Sequence, residues 1–303
     1  MHATVTATIA AARAVERTSP ATAACIAMPL FTRSLPTQRV REHDRGVHDQ
    51  ARRSTLRVGG RDLAAYEWGT GADTILLAHG WRGRASQFAP IVRELRAEGF
   101  RLVAFDAPAN GDSPGRRTDI RDWLAAIDAM QSRHGRFHAI VGHSFGGLAA
   151  VTAVRGGTAT GAVVAIASMS RARYLPDAFA AGTGLGTAAA NELASRFAGR
   201  VFPGEAEAEV WRRFDAAANP LPDDVPLLVV HDRGDREVAA SEGERLHAAH
   251  GERSRLVLTT GSGHTRVLGA DAALDAVTAF ATGGLAGVDA IAAAAAEASD
   301  TRT

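Results

Sequence analysis

The chain has 303 residues, 46% of them apolar, which is enough for a large α/β core, and its 34 basic and 33 acidic residues leave a formal net charge of +1. So even a balance carries no electrostatic footprint for nucleic acid. Every basic residue is Arg and none is Lys, which excludes a G-x-x-x-x-G-K-[ST] phosphate loop and chemistry through a Lys Schiff base, including the usual pyridoxal phosphate attachment. In chain order, 10–15 and 21–31 read as two short helices broken by Ser19-Pro20, and 33–53, crowded with Arg, His and Asp, as a solvated surface segment. Residues 55–58 and 62–68 read as strands joined at Gly59-Gly60, a turn in which both positions can take positive φ.

From residue 74 short apolar runs alternate with longer amphipathic stretches. The runs at 74–78, 102–105, 139–141, 162–167, 227–230 and 256–258 suit strands buried on both faces. The stretches at 86–98, 120–134, 145–155, 242–250 and 266–280 suit crossover helices, with Ser241 and Glu244 as a capping box. This alternation predicts a doubly wound α/β sheet. One connection, after the sixth strand, is too long: about 59 residues separate Ala167 from Leu227. With helical stretches at 185–197 and 205–218, it is expected to form a lid over about 170–224. Its Gly182-Thr183-Gly184-Leu185-Gly186 follows no strand, so it reads as a flexible stretch and not as a dinucleotide fingerprint. The expected organisation is an extension at 1–53, a body at 54–282, and an Ala- and Gly-rich tail at 283–303 that is either one helix or unstructured.

Val141-Gly142-His143-Ser144-Phe145-Gly146-Gly147 follows an apolar strand and opens a helix, the context of a nucleophile elbow. There Ser144 is exposed on a strained turn, Gly142 and Gly146 avoid collisions across it, and the Phe145 amide can donate to an oxyanion. A serine hydroxyl needs a base, and His264, flanked by Gly261 and Gly263 after the last strand, is placed to reach inward. His143 is set aside as pointing elsewhere, and His231 as sitting at a strand end. The imidazole needs a carboxylate, and Asp235, in the turn after 227–230, is preferred over Asp232 and Glu237. The chain order is then Ser, Asp, His.

With these residues in hand, the chain resembles the serine hydrolases of the α/β-hydrolase fold over about residues 54–282. Leu77-Ala78-His79-Gly80-Trp81 resembles the family's His-Gly oxyanion loop, which implies the Trp81 amide as second oxyanion donor. Phe105-Asp106-Ala107-Pro108-Ala109-Asn110-Gly111-Asp112-Ser113 is similar to a structural loop of the family, with Ala109 where Gly is usual and Asn110 where His is frequent. His79 and Asp106 are expected to pin loops. Ser144 departs from the relatives with Asp at the elbow, and neither Gly-Pro-Gly nor His-Gly-Gly-Gly follows the oxyanion strand. The resemblance is to bacterial hydrolases with His-Gly-Trp, Gly-His-Ser-Phe-Gly and Asp-Arg-Glu-Val. It implies a mostly parallel eight-stranded sheet with a short helical lid, and cleavage of a small-molecule ester, thioester or lactone through an acyl-enzyme. An acyltransferase with the same triad, or a non-catalytic ligand-binding scaffold, is the alternative.

No cofactor or metal is expected: no His-Glu-x-x-His occurs, and His247 and His250 read as exposed helix residues. Trp81, Phe88, Phe145, Met169 and Tyr174 are candidates for an acyl pocket. The lone Cys25 fits a reducing compartment. No unbroken apolar run reaches ~18 residues, and the Ala-rich start, with Arg13, Glu16 and Arg17, lacks the pattern of a secretion signal, so a cytoplasmic location and no membrane span are expected.

Overall fold

A computed structural model describes residues 2–34 and 37–300 of the chain. It opens with a helical hairpin, α1 (His2–Glu16) and α2 (Pro20–Phe31). Between them the Ser19 side chain accepts from the Thr22 amide at 3.2 Å, and Pro20 occupies the first helical position, where no N–H is needed. The segment expected as surface coil contains a third helix, α3 (Glu42–Asp49), which buries Asp44, Val47 and His48. The Val47 carbonyl accepts from the Trp68 indole at 2.8 Å, so this turn is held by the sheet. β1 (Arg52–Val58) and β2 (Arg61–Trp68) form the expected hairpin, with Gly59 at φ +52° and Gly60 at φ +80°.

The body continues as β3 (Thr74–Ala78), α4 (Ala89–Ala97), β4 (Arg101–Phe105), α5 (Ile120–His134), β5 (Ala139–His143), α6 (Phe145–Arg155) and β6 (Val163–Ile166). Then come α7 (Tyr174–Thr183), α8 (Thr187–Val201), α9 (Glu207–Arg213), β7 (Leu227–Asp232), α10 (Ala240–His250), β8 (Ser254–Thr259), α11 (Gly263–Arg266) and α12 (Asp271–Asp300). The eight strands form one sheet in the order β1-β2-β4-β3-β5-β6-β7-β8. β1–β2 and β2–β4 pair antiparallel and all other pairs are parallel. Alternate strand residues feed two cores. Leu76 and Ile140 pack with Trp123, Leu148 and Leu246 on one face; Ile75, Leu77 and Val141 pack with Ile91, Leu95 and Phe280 on the other.

Several boundaries differ from expectation for local reasons. Residues 85–88 form a 3-10 turn before α4, because Pro90 favours a new helix start. The last helix is two: α11 is one turn, and α12 runs through the tail to Asp300, broken at Gly284 (φ +62°); residues 301–303 of that tail lie outside the described residues. The capping box at Ser241 does not form. α10 starts two residues earlier, and its N-terminal Ala239 amide donates to the Tyr174 hydroxyl at 2.9 Å, so a tertiary acceptor replaces the local one. Residues 271–297 of α12, with mean hydropathy 1.5, are long and apolar enough to cross a membrane by length and composition alone, although Asp275 and Asp289 interrupt the apolar run. Its first half is buried on the sheet through Ala273, Ala276, Val277 and Phe280.

The insertion between β6 and β7 carries three helices, of which α7 is additional to the two expected. The glycines at 182–186 are the α7–α8 turn. Gly184 (φ +70°) ends α7, and the Gly186 amide donates to Glu16. A third hydrophobic cluster joins Ala12, Ala23 and Ala27 of the N-terminal hairpin to Ala180, Leu185, Ala189 and Ala190. The hairpin α1–α2 is thus packed on the insertion, and the two together cover the C-terminal ends of the parallel strands.

Candidate active site

Ser144 lies between β5 and α6 at φ +54° and ψ −121°, a conformation non-glycine residues rarely adopt, with its amide held by the Ile166 carbonyl at 2.8 Å. The turn closes only without side chains at two flanking positions. A Cβ on Gly142 would lie 2.5 Å from the Gly146 carbonyl oxygen, and one on Gly146 would lie 2.0 Å from that of Ala78. At the opposite wall, a Cβ on Gly80 would lie 2.9 Å from the Ser144 Cβ, so the loop after β3 abuts the serine. Neither the Trp81 nor the Phe145 amide donates to any backbone carbonyl among the described residues. The Trp81 ring stacks on Trp123 (centroids 6.0 Å apart) and meets Phe145 edge-on (5.5 Å), which fixes both donors' side chains.

The carboxylate and the imidazole meet as the sequence implied. His264 Nδ1 donates to Asp235 Oδ2 at 2.8 Å, and the Asp235 side chain is fully buried. Asp235 Oδ1 accepts the Glu237 and Val238 amides at 2.8 and 3.0 Å, so its own turn aims it. Burial works to raise the pKa of Asp235, but hydrogen bonds from His231, His264 and Val238 outweigh it and hold the carboxyl well below the usual carboxylate range. With Nδ1 donating, His264 Nε2 is left as an acceptor. It lies 3.9 Å from the exposed Glu237 carboxylate, and no hydrogen bond joins it to Ser144 among the described residues; His264 and Ser144 line one cavity. Such contacts are often long before substrate arrives. Asp232 is elsewhere engaged, accepting from the Thr259 hydroxyl and the Ser262 amide at 2.8 Å each, and so anchors the loop that carries His264.

This strand–elbow–helix frame agrees with the comparison by sequence. A profile of the alpha/beta hydrolase family matches residues 75–280. The chain belongs to the alpha/beta hydrolase family. No curated protein matches it. Among solved structures, it is similar to the mouse alpha/beta hydrolase domain-containing protein 10 (TM-score 0.58, 17% identity, covering 75% of this chain and 95% of that one). It is also similar to an esterase of Pyrococcus furiosus, Pf2001 (0.56, 18%, 77% and 91%), and to the esterase RhEst1 of Rhodococcus sp. ECU1013 (0.54, 18%, 77% and 99%). At these identities the likeness is one of fold.

Two histidines of this alpha/beta hydrolase do more than their sequence positions suggested. His143 does not point away from the site: its Nε2–H donates to the His264 carbonyl at 2.9 Å, and the two rings lie 4.9 Å apart. Burial, and then the neighbouring His264, lower its pKa to about 3, so it is a neutral strut. His231, fully buried, donates Nε2–H to the Val238 carbonyl at 2.9 Å and lies 3.4 Å from Asp235 Oδ2, bracing the acid's turn. Both are immediate neighbours of a strand end, and nothing in their spacing marks which way such rings turn. His79 and Asp106 pin loops as expected. His79 donates to the Gly80 carbonyl at 2.7 Å and accepts the Ala107 amide at 2.9 Å. Asp106 accepts from Ala85, Tyr66 and Asp112 at 2.7, 2.9 and 2.8 Å. Ala109 stands at φ +59°, which accounts for the glycine usual at that place.

His250 is not an exposed helix residue but a buried one, accepting the Leu221 amide at 3.0 Å and fastening the end of the insertion. Among the described residues no group of three or more His, Cys, Asp or Glu could hold a metal.

Burial lowers the pKa of His48, His79, His143 and His250 from 6.5. An unfolded chain protonates these rings below ~6.5 while the fold does not, so their stabilisation is complete above that pH and is lost as pH falls toward their folded values. Urea unfolding is expected to show a midpoint that drops between pH 7 and 5, with uptake of roughly two or more protons on unfolding at pH 5. A midpoint constant over that interval would contradict this.

Above Ser144 lies a cavity of about 860 Å³, lined by Trp81, Phe145, Met169, Tyr174, Phe179 and Trp211 among others. Phe88, expected there, is instead fully buried in the core beneath α4. The Tyr174 hydroxyl donates to the Glu237 carbonyl at 3.2 Å, so the base of the insertion is tied to the loop that carries the acid.

Proposed function

We propose that this alpha/beta hydrolase cleaves a carboxylic ester, thioester or lactone through an acyl-enzyme on Ser144. The observation that carries this reading is the strained Ser144 turn sharing one cavity with a His264 whose Nδ1 is held by buried Asp235. His264 Nε2 takes the hydroxyl proton as Oγ attacks the carbonyl. The Trp81 and Phe145 amides receive the oxyanion, each such donor being worth about 3 kcal/mol of barrier. The bond to the leaving oxygen or sulfur breaks, that atom takes the proton from His264, and water repeats the sequence to free the acid. Asp235 stabilises the imidazolium without itself becoming protonated. The aromatic lining suits an apolar acyl chain.

The test is labelling by a fluorophosphonate probe together with hydrolysis of p-nitrophenyl butyrate. The parent is expected to do both, and Ser144→Ala to lose labelling and about 10⁵-fold or more in kcat. A Ser144→Ala protein as active as the parent sinks the reading.

A further inference from the structure

A second cavity, of about 990 Å³, opens beside the first, walled by Cys25, Met28 and Pro29 of α2, by Thr32 just after it, and by five arginines: Arg33, Arg116, Arg117, Arg196 and Arg200. These come from three places in the chain: the end of α2, the loop between β4 and α5, and α8. Arg196 lies 3.7 Å from Glu192. Arg116, Arg117 and Arg200 make no ion pair or hydrogen bond to any other described residue. Several arginines elsewhere close on carboxylates, as Arg57 does on Asp62, Arg212 on Glu209 and Arg255 on Asp289. Three of the five guanidinium groups in this cavity, those of Arg116, Arg117 and Arg200, therefore have no counter-charge among the described residues. Arg196 and Arg200 stand one helical turn apart on α8, where like charges repel unless an anion lies between them. Guanidinium forks match phosphate oxygens in geometry as well as charge. The site is concave and holds apolar as well as cationic walls, so it fits a small molecule better than a flat polyanion. Arg33 lines both this cavity and the one above Ser144, with Leu30 and Phe31 of α2 between.

We propose that the arginine-lined cavity binds phosphate groups carried on the leaving group of the substrate, whose acyl chain occupies the neighbouring cavity. Resting on the Ser144 reading, this names the substrate class as an acyl ester or thioester of a phosphorylated alcohol or thiol.

Binding is measured first, without catalysis. Coenzyme A and inorganic pyrophosphate are titrated calorimetrically, at low salt, into the full chain carrying Ser144→Ala. Both are expected to bind, each displacing the other. Arg117→Gln with Arg200→Gln is expected to weaken both at least tenfold, and Arg52→Gln with Arg57→Gln, in the β1–β2 hairpin, to leave both unchanged. The Arg117/Arg200 variant is checked by its circular dichroism and unfolding midpoint; both side chains are exposed and lack hydrogen bonds, so both measurements should match the parent. Absence of binding, binding that survives in that variant, or coenzyme A binding that pyrophosphate cannot displace overturns the proposal. The second arm compares butyryl-coenzyme A with p-nitrophenyl butyrate on the protein with Ser144 intact. A KM for the thioester that rises at least tenfold in the Arg117/Arg200 variant supports the proposal, and an unchanged KM overturns it. Failure of the Ser144 reading looks different: neither substrate is hydrolysed although the anions still bind.

Discussion

Asp235→Asn is expected to lower kcat for p-nitrophenyl butyrate by about 10⁴-fold while leaving the unfolding midpoint close to the parent's. Asp235 Oδ1 accepts two backbone amides of its own turn, and an asparagine oxygen can keep both. Its amide nitrogen then faces His264 Nδ1, where Oδ2 now accepts. Two donors cannot face each other, so the imidazole moves its proton to Nε2 and can no longer take one from Ser144. Asp232→Asn provides the contrast. That carboxylate holds Ser262 and Thr259, so its loss is expected to show in the midpoint as well as in activity. An Asp235→Asn enzyme within tenfold of the parent would reassign the acid, with Glu237 next in line.

Gly146→Ala is expected to be strongly destabilising. The new Cβ would sit 2.0 Å from the Ala78 oxygen and 2.6 Å from that of His79, both backbone atoms at the end of a buried strand. α6 would have to leave β3, at a cost of about 3 kcal/mol or more, which for a domain of this size is roughly a 10 °C fall in the unfolding midpoint. Gly182→Ala, inside α7 with nothing within 4 Å of the new methyl, is the control and is expected to stabilise slightly. Thermal unfolding followed by circular dichroism measures both. A Gly146→Ala protein with the parent's midpoint would mean that the elbow is looser than the backbone contacts describe.

What was legible in the chain was what short-range chemistry dictates. The strands around Ser144 are buried on both faces and so read as apolar runs. The elbow needs glycine where backbones nearly touch, and Asp235 is aimed by its own turn, so each leaves a local mark. The illegible parts depend on partners far along the chain. α10 does without a capping side chain because Tyr174 supplies the acceptor. His143 turns to the His264 loop, 121 residues away. α1 and the far half of α12 are alanine-rich, and small side chains define no strong apolar stripe, so their extent and docking left little periodic signal.

The roof over the cavity has an assembly history written into its sequence positions. Ala12, Ala23 and Ala27 rest on Leu185, Ala189 and Ala190. On a ribosome adding ~5–20 residues per second, the first hairpin emerges about 160 residues, and thus on the order of ten to thirty seconds, before its packing surface exists. During that interval it is an isolated pair of short helices, marginal in water. Because β7, β8 and His264 follow the insertion in the chain, both halves of the roof are made before the residues that complete the sheet and the site beneath it.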